Sequence, residues 1–445
     1  MPSPTSRSSR LEPYGLHRPE LRAWVMYDWA NSAFMTTVVA AVFPIYFARV
    51  AAAALPPATA TFRFGLATTI ALAIVAIMAP VFGAIADYAA YKKRLLFAFQ
   101  TVGVGATAGM CFIGQGDWLL ALALFMLGNI GVYGAFTFYD SLLPHIASAS
   151  EMDRVSTAGY AVGYLGGGLL LAVNLAWIQM PERFGLPDAH AGARLSFLSV
   201  ALWWMVFSLP LFLRIREPSR GLALGEQPDL NPVAAGFSRV GKTLGELRTY
   251  RQALLLLTAF LIYNDGISTI IRMAAIFGTE IGIGTGHLIT ALLLAQVVGI
   301  PCSFLFARVA GWMGTKAAIF LTLGCYTGIS VLGYFMSTAA HFYALALLVG
   351  TVQGGSQALS RSLFATMVPR DRSSEFFGFF GVSEKFAGII GPLVFTGTIA
   401  LSGSSRGAVL SVIVFFIAGA IVLSRVDVDE GQRVARRADL RRARE

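Results

Sequence analysis

The sequence predicts an all-α polytopic membrane protein of about twelve spanning helices, on three observations. First, of its 445 residues 56% are hydrophobic and only 13% charged, and mean hydropathy is +0.67. Soluble domains carry about 25% charged residues, so lipid must form part of the solvent. Second, apolar blocks recur at the roughly 20 residues that a spanning helix requires. They fall at 24–48, 64–86, 95–113, 118–139, 155–178, 195–213, 252–277, 287–307, 317–336, 342–367, 375–401 and 407–423. Third, alternate loops share the basic residues unequally. With the N-terminus cytoplasmic, inner segments hold Arg7, Arg10, Arg18, Arg22, Lys92, Lys93, Arg94, Arg154, the cluster within 214–251, Arg308, Lys316, Arg370, Arg372 and the basic tail. Outer loops hold only Arg49, Arg63, Arg183, Arg194 and Arg406. That asymmetry is the positive-inside rule, with both termini cytoplasmic. It explains a net charge of +10 as topology, and a nucleic-acid partner is not expected.

Residues 1–23 form a polar N-terminal tail, and the apolar block after it is too long for a signal-peptide core. Six spans follow within 24–213. The interval 214–251 is the longest polar stretch between spans, broken by Pro218, Pro228 and Pro232. Within it Phe237, Val240, Leu244 and Leu247 share one helical face, which fits an interfacial helix or a solvated linker. Six more spans occupy 252–424, and 425–445 is a basic cytoplasmic tail. The six-plus-six division predicts two pseudo-symmetric bundles. Pro80 precedes Ala86-Asp87 as Pro301 precedes Ala307-Arg308, and Tyr27 to Ser32 matches Tyr263 to Ser268. Spans five and eleven are both glycine-rich, as close helix packing requires. In transporters such repeats surround a shared site.

Ionisable side chains inside a span are expensive and face the bundle interior, so they mark candidate sites. Asp28, Asp140, Asp265, Arg272, Arg361, Glu384 and Lys385 are of this kind. Asp265 and Arg272 lie two helical turns apart on one face, spaced to hold the two ends of a zwitterion. Glu384 and Lys385 are adjacent and point about 100° apart, so each needs its own partner or a ligand. Together with Tyr263, Asn264 and Gln357 these four are the candidates for binding substrate or protons. Asp28, Asn31, Asp140 and Arg361 lie nearer the cytoplasmic ends and are gate or interhelical candidates. For every one of them a purely structural lock between helices stands as the alternative. Gln353, Gln357, Ser360 and Arg361 form a polar stripe in span ten, and Asn129, Tyr133 and Asp140 another in span four.

Catalysis has no support. The five histidines are scattered without metal-ligand or triad spacing, no phosphate-binding loop occurs, and the three cysteines (Cys111, Cys302 and Cys325) lie inside predicted spans. Neither an enzyme activity, a metal nor a cofactor is expected.

Gly83-Ala84-Ile85-Ala86-Asp87, followed by Lys92, Lys93 and Arg94, resembles the inner-loop signature of the major facilitator superfamily. The resemblance implies that fold, with Asp87 and, behind it, Lys92 and Arg94 gating the cytoplasmic side. Tyr88, Ala90 and Tyr91 stand where that signature has arginine, glycine and arginine. A narrower likeness rests on Tyr27-Asp28-Trp29-Ala30-Asn31-Ser32-Ala33-Phe34 and Gln357-Ala358-Leu359-Ser360-Arg361-Ser362. Met367-Val368-Pro369 and Glu375-Phe376-Phe377-Gly378-Phe379-Phe380 extend it. Together these resemble the autophagy-linked vacuolar amino-acid effluxers and their bacterial relatives. What this implies is a secondary transporter that exports amino acids or similar solutes; the charges inside the spans fit a small polar or zwitterionic solute, and a partly desolvated carboxylate among them can carry a coupling proton. A proton-driven exporter of drugs or amphiphiles is the alternative within that class, and a non-transporting sensor or assembly partner the one outside it. Abundant Arg and Ala with scarce Lys fits a bacterial plasma membrane, and a monomer is expected.

Overall fold

The computed structural model describes residues 11–219, 249–283, 285–387, 390–402 and 405–442. The predicted face at 237–247 and the two chain ends lie outside these residues. The described residues are helical throughout, without a strand. The long helices are α1 (Pro19–Ala51), α2 (Pro57–Ala89), α3 (Lys92–Gly109), α4 (Trp118–Ile146), α5 (Met152–Gln179) and α6 (Ala189–Arg214). After the central interval come α7 (Arg251–Glu280), α8 (Thr285–Met313), α9 (Thr315–Tyr334) and α10 (Ala339–Thr366). The chain ends in shorter pieces: α11 (Ser373–Phe386), α12 (Ile390–Ser402), α13 (Ser405–Ser411), α14 (Ile413–Ser424) and α15 (Val428–Arg442).

Ten helices among the described residues are long and apolar enough to cross a bilayer. The predicted spans outside that set are 342–367 and 375–401, and the reason is physical. Helix α10 has 28 residues, but Gln353, Gln357, Ser360 and Arg361 run down it, and its second half is buried in protein. The segment 375–401 is interrupted at Ala387, whose backbone leaves the helix (φ −59°, ψ 126°) before α12 begins. Irregular or polar backbone at membrane depth is tolerated where protein or a cavity surrounds it, not lipid.

Local sequence explains the other irregularities. Residues 34–42 and 47–51 of α1 are wound as π-helix on either side of Pro44. Proline lacks an N–H and its ring crowds the carbonyl four residues back, which the wider turn relieves. Small residues set the closest approaches. A Cβ on Gly131 would stand 2.4 Å from the backbone of Gly103, so α3 and α4 touch main chain to main chain. Helices α2 and α11 do the same, with Gly83 against the Ser374 carbonyl and Gly378 against that of Ala79. An aromatic core of α1, α4 and α6 includes Phe43 stacked on Phe125 at 4.6 Å. A second core continues from α1 and α4 into α7, α10 and α11, joining the two halves of the chain.

The C-terminal tail is a docked helix, which composition alone does not reveal. Gly431 and Ala435 of α15 are buried, and Gly431 meets Met367 and Gln252. Asp439 accepts the Arg370 N–H at 3.0 Å, Gln432 donates to Thr366, and Glu430 bonds Gln252.

Candidate functional site

A cavity of about 350 Å³ lies between the halves. Asp28, Asn31 and Ser32 of α1, Asp140 of α4, and Tyr160 and Tyr164 of α5 line it from one side. Gln296 of α8 and Gln353, Gln357 and Arg361 of α10 line it from the other. Spacings of three and four residues in Asp28/Asn31/Ser32, Tyr160/Tyr164 and Gln353/Gln357/Arg361 put each set on one helical face. The buried hydroxyl of Tyr164 and the buried Oε1 of Gln296 have no hydrogen-bond partner among the described residues. Buried polar atoms are rarely left so, and here both belong to the wall of the cavity.

Arg361 is the centre of the site. Only 3% exposed, it donates from Nη1 to Asp140 at 3.1 Å and from Nη2 to Asp28 at 3.4 Å. Its Nε reaches the Ser156 hydroxyl at 2.9 Å, and Nη2 also reaches the Ser156 carbonyl at 3.0 Å. The ring centroids of Trp24 and Tyr160 lie 4.8 and 4.6 Å from the guanidinium carbon. A planar, permanently charged group with five donors suits this arrangement and lysine does not. One residue of α10 is thus gripped by α1, α4 and α5. Gly159 makes the room, because a Cβ there would stand 2.2 Å from Asp28 Oδ2.

Polar contacts between the halves gather at one end of the cavity. Asp87, at the end of α2, accepts from the backbone N–H groups of Ser374 (3.2 Å) and Glu375 (2.9 Å). A carboxylate at a helix N-terminus satisfies orphan donors and complements the dipole. Lys92 pairs with Asp87 at 2.5 Å and donates to the Ser373 hydroxyl at 2.7 Å. In the first turn of α5, Asp153 accepts from Ser362 of α10 and, at 2.6 Å, from Thr315 of α9. Ser156 donates to the Ala358 carbonyl at 2.8 Å.

Beside the cavity an apolar chamber of about 120 Å³ lies within the C-terminal half and shares Ile271, Leu292, Ala295 and Gln353 with it.

The structure brings together Asp28, Asn31, Asp140, Gln357 and Arg361 at the cavity, and pairs Asp87 with Lys92 in the buried contact of α2 with α11. Arg94 stands apart, exposed beside the Tyr91 ring at 4.8 Å. Asp265 is buried and accepts the Gly391 N–H at 2.9 Å, capping α12 where the helix resumes after its interruption. Tyr263 shares a 2.5 Å hydrogen bond with Ser360, and Asn264 is buried beside it. The side chains of Arg272, Glu384 and Lys385 lie outside the described residues. Sequence reasoning misses Trp24, Ser156, Tyr160, Tyr164 and Gln296. The signal for the two tyrosines is their spacing of four on the glycine-rich face of span five. Nothing local marks Ser156 or Gln296.

The pattern of the family described as "Vacuole effluxer Atg22 like" matches residues 58–436. The chain belongs to this Atg22-like family. Among curated relatives of this Atg22-like chain is YxiO of Bacillus subtilis strain 168, named an uncharacterized MFS-type transporter. It is 37% identical over 406 residues, covering 91% of this chain and 94% of YxiO. Autophagy-related protein 22 of Eremothecium gossypii is 23% identical over 376 residues, covering 77% of this chain and 72% of that protein. Among solved structures, the proton:xylose symporter XylE superposes with a TM-score of 0.70 at 14% identity, covering 97% of this chain and 100% of XylE. The transporter FucP in its outward conformation gives 0.65 at 14%, covering 93% and 99%. The Atg22-like chain therefore has the major facilitator fold. It is a multi-pass membrane protein and a secondary transporter of small solutes, a class that does no covalent chemistry.

Proposed function

We propose that the protein moves a small zwitterionic solute of the amino-acid class by alternating access, exporting it with proton coupling. Two six-helix halves, 24–213 and 252–424, would rock about the cavity in a bacterial plasma membrane, with both termini cytoplasmic. The observation that carries this reading is the Asp28–Arg361–Asp140 cluster, which supplies both signs of charge at the floor of a cavity between the halves. A zwitterion needs both, and a carboxylate is the group that can carry a proton. In this reading Asp87 and Lys92 hold the cytoplasmic end shut against α11, and Arg94 is a peripheral member of that gate. Arg272, Glu384 and Lys385 are candidate ligands for the far end of the solute or for the coupling proton, and Asp265 positions the interrupted helix beside them. The family supports solute transport as such, since its members are described as vacuole effluxers.

A second reading, export of an amphiphile, is favoured by the apolar chamber that opens beside the polar cavity. Counterflow into proteoliposomes tests both. Labelled neutral amino acids should exchange faster than in protein-free vesicles, and an imposed proton gradient should drive net movement. Absence of exchange across a panel of amino acids, together with flux of a fluorescent amphiphile, would replace the first reading by the second.

A further inference from the structure

The N-terminal segment before α1 packs onto the end of the bundle where α4, α5 and α8 meet it, at Ile146, Glu151, Phe304 and Arg308. Residues Glu12–Tyr14 form one tight turn, ended by Gly15 with φ +68°. That left-handed conformation and the close approach both call for glycine, since a Cβ at Gly15 would stand 2.9 Å from the backbone nitrogen of Val155. The segment is anchored to the N-terminal half. Arg18 donates to Glu151 at 2.8 Å and to the Ile146 carbonyl at 2.9 Å, and His17 Nε2 lies 3.1 Å from Glu151. Its tip crosses to the C-terminal half. The Tyr14 ring packs edge-on against Phe304 of α8, with centroids 5.4 Å apart, and the Arg308 guanidinium stands 5.7 Å from the Tyr14 ring.

The internal repeat explains why this crossing matters. At the end of α2, Asp87 caps the α11 N-terminus across the halves. At the matching end of α8 the residue is Arg308, and a cation has no acceptor with which to cap the α5 N-terminus. The second crossing is built differently. Helix α5 supplies its own acid, Asp153, toward Thr315 and Ser362, and Arg308 turns to Tyr14. We infer that residues 11–18 are a latch: the Tyr14 ring, seated on Phe304 and Arg308, favours the state closed at the Asp87 end and leaves its seat when the halves part there. This rests on the alternating-access reading above.

The test uses the full chain, with Cys111, Cys302 and Cys325 replaced by serine and a reporter placed by Thr137→Cys. Thr137 is 3% exposed and lies on α4 against Gly381 of α11, whose Cβ would stand 3.6 Å from its hydroxyl. Inverted vesicles expose the cytoplasmic face to a membrane-impermeant maleimide. Tyr14→Ala should raise the labelling rate about fivefold, equivalent to about 1 kcal/mol for the edge contact and the cation together. Tyr14→Phe keeps the ring and should label as the parent does. Parent-like labelling in Tyr14→Ala, or equal acceleration in Tyr14→Phe, overturns the latch. Asp87→Asn is run beside them. If it accelerates labelling while Tyr14→Ala does not, the latch alone fails. If neither does, the assignment of this end as the gate fails with it.

Discussion

A single methyl group at Gly159 tests whether the buried ion cluster has the geometry described. The Cβ of Gly159→Ala would stand 2.2 Å from Asp28 Oδ2, 3.1 Å from Arg361 Nη2 and 3.2 Å from the Trp24 ring. Carbon and oxygen rest about 3.4 Å apart, so the carboxylate must retreat by about 1 Å or α5 must part from α1. The Asp28–Arg361 separation is already 3.4 Å, so a retreat of that size breaks the pair. Overpacking alone costs about 1–3 kcal/mol, and a buried charge left without its partner about 3–5 kcal/mol. The variant should melt several degrees below wild type in detergent and lose at least tenfold in counterflow rate. Gly105→Ala is the control. Nothing lies within 4 Å of that Cβ, so it should be neutral or gain up to about 1 kcal/mol from helix propensity. In an Asp28→Ala background the 2.2 Å contact is gone while the milder ones to Arg361 and Trp24 stay, and the added cost of Gly159→Ala should shrink. Full additivity of the two substitutions, or wild-type melting and flux for Gly159→Ala alone, would refute the reasoning.

Arg361→Lys keeps the charge but forfeits simultaneous bonds to Asp28, Asp140 and Ser156, and should lower counterflow at least tenfold. Gly83→Ala puts a methyl 2.3 Å from the Ser374 carbonyl, so α2 and α11 should no longer close. Maleimide labelling of the Thr137→Cys reporter should rise, and labelling at the parent's rate would contradict the gate. Asp265→Asn retains an oxygen for the Gly391 N–H but removes the charge, and Glu384→Gln is its counterpart on α11. Both should abolish transport in a protein that still folds in the membrane, and wild-type flux in both would remove them from the proton or solute path. Burial raises the Glu151 carboxyl, but the hydroxyl and N–H of Ser148, with Arg18 and His17 beside it, outweigh that and hold it below its ordinary 4.5. A depressed carboxyl contributes stability above its ordinary range and loses it as pH falls through the lower folded value. Glu151→Gln should therefore flatten the acid limb of a melting-temperature profile, and an unchanged limb would exclude the pair.

Of the site, the buried charges were legible as such, because an ion within an apolar block stands out whatever its neighbours. Their partners were not. Asp28, Asp140 and Arg361 lie far apart in the chain, and only the packing of α1, α4 and α10 puts them in contact. The reverse holds for Asp265, whose spacing to Arg272 reads as a binding pair, while the fold gives it a helix terminus to cap. That terminus exists because α11 stops at Ala387; Ser383-Glu384-Lys385 just before the break reads in the sequence as charge inside a span and not as the end of a helix.

That lipid surrounds this protein, where most of its helices run, and that its two halves share motifs can all be read along the chain. Apolar length, loop charge and periodic glycine are local quantities, and local quantities need no partner to be read. Packing in three dimensions was needed to learn which side chains share a cavity and that the second half of α10 and the first turns of α11 are buried in protein. It was needed, too, to find that Arg361 is the residue on which both halves converge. Those are properties of juxtaposition. A buried ion is tolerated because its counter-ions come from other helices, and no stretch of one helix records which ones they will be.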